Sequence, residues 1–267
     1  MSTPEVGTMF WPLWILFNKG IRYSTVVDVG CADGHFFLNA FVTGLIPGAI
    51  PLNIDANPIY QESLQAIQKV VGGHFKITAV TDHEGEIDLT TSVHPYWSSL
   101  RPEGDPYWQK VNRLSATRAS VPATTLDTLS KELALQPPFL LKLDVQGSEK
   151  NVLNGASEFL KKTHLVICEA DIDDFEDINA VLVQQNNFVL YDVTHLQRLD
   201  DGTLGWFYPI FINRSLDFVR PKAFWDAKDN ETIIRIQVER RKAILKENAN
   251  LLTGIQAWQK LQRSGND

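Results

Sequence analysis

The stretch "VVDVGCADG", residues 26–34, decides the fold that the sequence predicts. The β-branched run from residue 25 to residue 30 ends at a glycine and predicts a buried strand. Gly30 lets the chain turn sharply, and Gly34 opens a helix that is predicted over residues 35–45. Ligands of open parallel sheets bind outside the carboxyl ends of the strands, so this turn marks a candidate ligand site.

Outward from this stretch, apolar runs alternate with helical patterns along the chain. Such βαβ alternation predicts an α/β fold with a doubly wound, mostly parallel sheet and helices on both faces. Two late runs, 188–194 and 206–214, are joined without a helix pattern and predict antiparallel strands at one edge. Further strands are predicted at 49–55, 75–80, 139–144 and 164–171, an exposed β segment at 84–93, an extended piece with a helix at 121–133, and helices at 58–71, 148–161 and 175–186.

The two ends of the chain differ in composition from the ligand-binding domain predicted over residues 24–221. Residues 1–23 contain the apolar run "MFWPLWILF", which is about half as long as a membrane span, so no transmembrane segment is predicted. This run is either a helix packed on the domain or a surface for a partner or for peripheral membrane contact. Residues 222–267 predict a C-terminal extension of one or two helices, which covers the domain or makes an oligomer contact.

Charge and cysteine content narrow the class of protein. The net charge of −7 and the acidic pI of about 5.4 disfavour a nucleic-acid binder, which needs basic side chains to neutralise phosphates. Cys31 and Cys168 lie far apart in the sequence, with no metal-binding spacing, and predict neither a disulfide framework nor a zinc site. A reducing, cytoplasmic location is the simple inference.

Acidic residues at the predicted strand ends indicate the kind of cofactor. A dinucleotide loop needs G-x-G-x-x-G, whereas this loop is G-x-x-x-G, and its acids Asp28 and Asp33 would repel a pyrophosphate. Asp55 ends the next strand, where a carboxylate accepts ribose hydroxyls, unless it is a helix cap. Asp82 follows the third strand, beside the expected adenine, unless it only forms a turn. A cationic nucleoside without phosphate is S-adenosylmethionine, which the sequence therefore predicts as the cofactor.

The motifs taken together resemble the FkbM-type methyltransferases over roughly residues 24–195. The resemblance rests on "VVDVGCADG", "NIDANPIYQESL", "AVTDHEGEIDL", "VPATTLDTL" and "LLKLDVQGSEKNVLNGA". It implies a class I methyltransferase-like fold that binds S-adenosylmethionine and O-methylates a hydroxyl of a sugar, glycan or natural product. One departure is Gln146, which stands where the family usually has an acid.

The predicted strand 139–144 carries two charges that packing does not explain. Alternation along the strand sends Lys142 and Asp144 to the same side, with Asp144 at the carboxyl end. Asp144 is the candidate general base for a hydroxyl acceptor, and Lys142 would pair with it or orient the acceptor. Glu169 ends the next strand and is a second acid nearby. The alternatives are a structural ion pair of Lys142 with Asp144, and a divalent cation held by the two acids, which Gln146 disfavours.

The segment 94–119 is the predicted acceptor loop. Its aromatic residues Tyr96, Trp97 and Trp108 present faces that suit a sugar ring, and Arg101 would fix an anionic group on the acceptor. The alternative is that the tryptophans only cover the edge of the sheet. The predicted partner is accordingly a small-molecule or glycan acceptor, and no nucleic acid.

Two other classes of function stay open on the sequence alone. A nicotinamide-dependent oxidoreductase is disfavoured by the missing middle glycine and by the acids in the loop. A non-catalytic interaction module would use the apolar N-terminus and the C-terminal helices instead of Asp144.

Overall fold

The computed structural model describes residues 3–91, 94–101, 117–219, 235, 238–250 and 253–254. The chain divides into two units, Met1–Val219 and Arg220–Asp267. In the second unit, residues 238–250 are helical and exposed, and the C-terminal extension over 222–267 stays a prediction. The rest of that prediction lies mostly outside the described residues.

Ten strands and seven α-helices make up the described part of the first unit. The strands are β1 Thr25–Val29, β2 Ile50–Asp55, β3 His74–Ile77, β4 Ala79–Val80, β5 Gly85–Thr91, β6 Thr117–Thr124, β7 Phe139–Leu143, β8 Thr163–Cys168, β9 Phe188–Thr194 and β10 Tyr208–Asn213. The helices are α1 Phe10–Asn18, α2 His35–Val42, α3 Gln61–Val71, α4 Leu126–Glu132, α5 Glu149–Asn154, α6 Ser157–Leu160 and α7 Ile172–Asn179.

The main sheet has seven strands in the order β3-β2-β1-β7-β8-β10-β9. All pairs from β3 to β8 are parallel, and β10 runs antiparallel to both β8 and β9. The predicted doubly wound, mostly parallel sheet with antiparallel strands at one edge is therefore confirmed. The strand order reverses between β1 and β7, so their carboxyl ends form the crevice where ligands bind in such sheets.

A second sheet, in the order β4-β6-β5, corrects the prediction of a single strand over 75–80. The Thr78 backbone N–H still bonds to the Asp55 carbonyl (3.0 Å), but the Thr78 hydroxyl donates to the Pro122 carbonyl (2.9 Å). Beyond this residue the chain pairs with β6 and leaves the main sheet. The switch places Ala79 and Val80 in a wall beside the ends of β1 and β2.

Two predicted helices are interrupted. The helix predicted at 148–161 is split into α5 and α6 at Gly155, where a Cβ would overlap the backbone carbonyl of Thr81. A side chain there would push the helix away from the chain that follows β4. The helix predicted at 175–186 begins earlier, at Ile172, and its second half is a π-helix over Ala180–Gln185.

The two faces of the main sheet bury separate apolar clusters. The N-terminal helix α1 belongs to one of them, because Leu13 and Leu16 are 1% and 0% exposed. This contact supports the interpretation of the apolar N-terminal run as a helix packed on the domain. On the same helix, Trp11 and Trp14 stack with ring centroids 5.2 Å apart and stay partly exposed.

Within the described residues, none of the helices combines the length and the apolar character that crossing a membrane would require.

Gly30 stands at the closest approach of the two central strands. The Asp144 N–H donates to the Val29 carbonyl (3.0 Å), which draws the end of β7 against the end of β1. Gly30 has a φ of +70°, and a Cβ at this position would overlap the carbonyl oxygen of Asp144. Glycine is required for both reasons, the left-handed conformation and the contact with backbone.

Replacing Gly30 with alanine is therefore expected to destabilise the domain well beyond the cost of a left-handed alanine. That cost alone is about 1–2 kcal/mol. Gly48→Ala is a matched control, because Gly48 has a φ of +74° and no atom within 4 Å of its ideal Cβ position. Urea unfolding of both variants measures the difference. Equal losses of unfolding free energy in Gly30→Ala and Gly48→Ala would mean that the Asp144 carbonyl can move away from the new Cβ without an energetic cost.

Candidate active site

A cavity of about 880 Å³ lies at the carboxyl ends of the central strands. The loop after β1 forms one side, and the loops after β7 and β8 form another. The start of the second sheet adds the apolar residues Ala79, Val80 and Leu89. The volume suits a ligand of cofactor size together with a second small molecule.

Asp55 holds the loop after β1 in place. Its Oδ2 accepts the Ala32 N–H (2.9 Å) and its Oδ1 accepts the Asn57 N–H (2.8 Å). Burial raises the pKa of Asp55 to about 6, although these two hydrogen bonds oppose the rise. Asp55 lines the cavity. Since each of its carboxylate oxygens accepts one backbone hydrogen bond, each has a further lone pair for another donor.

The other residues predicted for the cofactor lie at different depths. Asp28 is fully buried and lies beneath the loop, 3.5 Å from Lys142, instead of on the cavity wall. Gly30 lines the cavity, and Gly34 begins α2 in the left-handed conformation and packs against Ile67. The structure does not bring Asp82 to the cavity, because its carboxylate is bound to the His83 ring (2.7 Å) and is 44% exposed.

Lys142 connects the buried acid beneath the loop to the acid on the cavity wall. Its Nζ lies 3.5 Å from Asp28 and 3.2 Å from Asp144, and donates to the Gly30 carbonyl at 3.4 Å. Burial would lower the pKa of Lys142, but the two acids outweigh burial and raise it above its ordinary value. The ammonium therefore stays charged, and it favours the ionised form of Asp144.

Asp144 and Glu169 face each other across the ends of β7 and β8. The Gln146 amide donates to Asp144 Oδ1 (2.8 Å) and to Glu169 Oε2 (2.6 Å). The Tyr208 hydroxyl lies 2.8 Å from Asp144 Oδ2 and 3.3 Å from Glu169 Oε1. The predicted catalytic residues thus meet in one cluster with two neutral hydrogen-bond donors.

The pKa values of the two acids in this cluster are shifted in opposite directions. Burial opposes the charge of Asp144, but Lys142 and the hydrogen bonds outweigh burial and hold its pKa below its ordinary value. Burial raises the pKa of Glu169 well above its ordinary value, and the charge of Asp144 adds to the rise. These directions favour the ionised form of Asp144 and the protonated form of Glu169.

A family model described as "Methyltransferase FkbM domain" matches residues 28–190, which is more than half of the chain. The chain belongs to the FkbM methyltransferase family. It is an S-adenosylmethionine-dependent methyltransferase with the class I methyltransferase-like fold that the sequence predicts. The alternative of a nicotinamide-dependent oxidoreductase receives no support from this match.

Comparison with solved structures finds chains of low sequence similarity. One is precorrin-6y C5,15-methyltransferase from Geobacter metallireducens, with 10% identity, 79% of this chain and 94% of that chain covered, and a TM-score of 0.39. Another is TrmK from M. capricolum in complex with S-adenosyl-homocysteine, with 10% identity, 79% and 69% covered, and a TM-score of 0.37. The comparison with curated proteins gave no match.

The residues at the cavity fit the cofactor of this FkbM methyltransferase. Asp55 provides acceptors for ribose hydroxyls, and the apolar wall formed by Ala79, Val80 and Leu89 suits an adenine ring. Lys142, the only Lys or Arg among the described lining residues, already faces two acids, so the wall carries no free positive charge against a sulfonium. The described residues contain no group of three or more His, Cys, Asp or Glu side chains that could hold a metal ion.

One side of the cavity is bordered by the segment 94–101, which belongs to the predicted acceptor loop. Tyr96 and Trp97 line the cavity and are 58% and 36% exposed. The Ser99 hydroxyl donates to the Gln146 carbonyl (2.8 Å), which ties this segment to the loop after β7. Residues 102–116 of the predicted acceptor loop, which include Trp108, lie outside the described residues. Residues 117–119, which the sequence predicts to belong to this loop, form the start of β6 instead.

Arg101 lies beside this cavity and not on its wall. Its guanidinium packs over Gly147, where a Cβ would overlap it, and Nη2 contacts both carboxylate oxygens of Asp174 (2.8 and 2.7 Å). The contact ties the segment 94–101 to the first turn of α7. The predicted contact of Arg101 with an anionic group on the acceptor stays a prediction.

Tyr208 is the site residue that sequence reasoning missed. It stands in "WFYPIFINR", residues 206–214, where the aromatic run indicates a strand and nothing more. Its hydroxyl reaches Asp144, 64 residues away in the sequence, because β10 is placed beside β8. No local pattern records that pairing, since strand order depends on contacts between distant segments.

Glu149 is a buried acid whose proton affects stability. Its carboxylate is 3% exposed and accepts the Val145 N–H (2.9 Å), which shapes the loop after β7. Burial raises the pKa of Glu149 from 4.5 to about 7. Between these values the folded chain binds more protons here than the unfolded chain does, so the contribution of Glu149 to stability falls as the pH rises.

Glu149→Gln is expected to remove this pH dependence. The stability of wild type relative to the variant should be highest below about pH 4.5 and should fall by up to about 3 kcal/mol as the pH rises through 7. Urea unfolding between pH 4.5 and 8 measures the difference, with Glu132→Gln at an exposed position of α4 as the control. If the difference in unfolding free energy between wild type and Glu149→Gln does not change with pH, the raised pKa of Glu149 would be contradicted.

Proposed function

We propose that this FkbM methyltransferase O-methylates a hydroxyl of a small molecule or glycan, with Asp144 as the general base. The observation that supports this most directly is the position of Asp144, which lines the cavity while Lys142 keeps it ionised. A base in this state takes a proton from a hydroxyl acceptor without first losing one of its own.

The cofactor-binding residues of this proposal are Asp55 and the loop from Gly30 to Asp33. When bound, S-adenosylmethionine supplies an electrophilic methyl group on a sulfonium. Asp55 orients the ribose through acceptor lone pairs and at the same time fixes the loop through Ala32. Asp28 acts from beneath the loop by balancing the charge of Lys142. Asp82 is left out, because its carboxylate is engaged by His83 away from the cavity.

Asp144 and its neighbours carry the proton chemistry of the proposal. A hydroxyl becomes a strong nucleophile only as its proton leaves, and a positioned base contributes about 10²–10⁴-fold to the rate. The O–H bond of the acceptor breaks as a new O–H bond forms on Asp144. Lys142 stabilises the ionised form of the base before this transfer, and much of the remaining rate would come from holding the acceptor oxygen in line with the methyl group.

The charges of the cavity support an acceptor without phosphate. Among the described lining residues Lys142 is the only Lys or Arg, and it faces acids on two sides. Nucleic acids require several basic contacts to neutralise their phosphates, so this wall favours a neutral acceptor. Tyr96, Trp97 and Trp108 are the proposed acceptor platform, of which the first two lie at the cavity. The acidic lining residues are Asp33, Asp55, Asp144, Glu149, Glu169, Asp171, Asp173 and Asp174.

Asp55→Ala is expected to weaken the binding of S-adenosyl-homocysteine by about 10- to 150-fold, since hydrogen bonds to a carboxylate contribute about 1.5–3 kcal/mol. Isothermal titration calorimetry on the purified protein measures this change. Asp82→Ala is the matched control, because it removes an acid that also follows a strand but lies away from the cavity. Equal losses in both variants, or none in Asp55→Ala, would refute the assignment of Asp55.

Asp144→Asn is expected to lower kcat by about 100-fold or more while the affinity for S-adenosyl-homocysteine changes only a few-fold. Cell extract incubated with enzyme and deuterated-methyl cofactor first identifies the methylated product by mass spectrometry. Its methyl group should be on oxygen. A product methylated on nitrogen or carbon would reject the acceptor class, and a retained kcat in Asp144→Asn would reject the base.

A further inference from the structure

The four carboxylate oxygens of Asp144 and Glu169 are each approached by a neutral donor. Gln146 spans Asp144 Oδ1 and Glu169 Oε2, at 2.8 and 2.6 Å. Tyr208 spans the other two, Asp144 Oδ2 and Glu169 Oε1, at 2.8 and 3.3 Å. The two acids are thus held together from two sides by an amide and a phenol.

We infer that Asp144 and Glu169 act as one unit that holds a single proton at neutral pH, and that Gln146 and Tyr208 are the positioning residues of this unit. The inference rests on the proposed function for its role in catalysis, but the unit itself is a property of the unliganded protein. In this unit Asp144 is the ionised acid and Glu169 carries the proton, whereas the sequence predicts only that the two acids lie near each other.

The number of donors decides which acid is ionised. Asp144 receives the shorter contact from Tyr208, one amide hydrogen from Gln146 and the ammonium of Lys142 at 3.2 Å. Glu169 receives an amide hydrogen from Gln146 and only the longer contact with Tyr208. Two buried acids this close cannot both ionise without a large cost, so the proton resides on Glu169.

The surroundings allow only one negative charge in the unit. Among the described residues that line the cavity, Lys142 is the only Lys or Arg, and it already pairs with Asp144 (3.2 Å) and Asp28 (3.5 Å). Its favourable effect on the charge of Glu169 is outweighed by burial and by the charge of Asp144. Glu149 faces the same region and would oppose a second negative charge. Among the described residues, the titratable and charged groups around the unit include Lys142 from β7, Asp28 from β1, Glu149 from α5, Cys168 at the end of β8, Tyr208 from β10, and His195 after β9, whose ring lies 5.7 Å from that of Tyr208.

The backbone fixes Gln146 in the bridging position. Its φ is +55°, a left-handed conformation that glutamine rarely adopts, and its carbonyl accepts the Ser99 hydroxyl at 2.8 Å. These constraints direct the amide toward both acids. A neutral amide and a phenol thereby do the bridging that a divalent cation does between carboxylates elsewhere.

Carboxyl ¹³C NMR titration of the cofactor-free protein tests the unit without any acceptor. Asp144→Asn and Glu169→Gln assign the two signals. In wild type we expect one signal to titrate well below pH 7 and the other, Glu169, to stay protonated at pH 7. Both signals titrating together below pH 5 would overturn the inference.

Gln146→Met and Tyr208→Phe remove the donors and keep the approximate shape. Each should raise the titration midpoint of Asp144 by about one to two pH units, because a hydrogen bond to a charged group is lost. The acid limb of the pH profile of kcat should move in the same direction. Tyr191→Phe, on the neighbouring strand β9, is the control and should leave the midpoint unchanged. A shift no larger than that of the control would overturn the positioning roles.

The variants also separate this inference from the proposed function. If Asp144→Asn retains kcat while the wild-type protein holds one proton on the two acids, the proposal that Asp144 is the general base is rejected. The inference that Asp144 and Glu169 form one unit is then still supported. If Gln146→Met or Tyr208→Phe does not fold, Glu169→Gln decides, since it removes the second titrating group and should leave Asp144 with a single titration step. Two steps for Asp144 in that variant would overturn the unit.

Discussion

The ion pair of Lys142 with two acids is the constraint on which the rest of the site depends. Lys142 and Asp28 are register partners on the central strands β7 and β1 and are almost completely buried. A buried charge without a partner costs several kcal/mol. The register of β1 and β7 supplies that partner, because it places Lys142 beside Asp28. The register of these strands thereby places a cation at the wall of the cavity.

From Lys142, a continuous set of contacts connects the two halves of the cavity. On one side the ammonium donates to the carbonyl of Gly30, in the loop that Asp55 also holds. On the other side it contacts Asp144, which is linked through Gln146 and Tyr208 to Glu169. The charge of Asp144 therefore acts on the same side chain that contacts the loop after β1, in a region where low dielectric strengthens electrostatic interactions.

Family membership gives the reaction class, and we propose that the loops around the cavity select the acceptor. Family membership establishes methyl transfer, and the central strands hold the groups that serve it. The side of the cavity where we propose that the acceptor binds is built from the segment 94–101, the start of α7 and the connection between β9 and β10. Because loops vary more freely than the strands that carry them, the identity of the acceptor is decided there. The excess of acids in this region favours acceptors without phosphate.

The sequence by itself determined which residues end the central strands, because period-2 alternation and the glycine turn are local patterns. Asp55, Asp144 and Glu169 were predictable in this way, as was the doubly wound sheet. Only the tertiary structure decided that Tyr208 meets Asp144 and that the chain after β4 places Asp82 away from the cavity. It also divided the run 75–80 between two sheets. Strand order and register arise from contacts between distant segments, whose energies no local pattern contains.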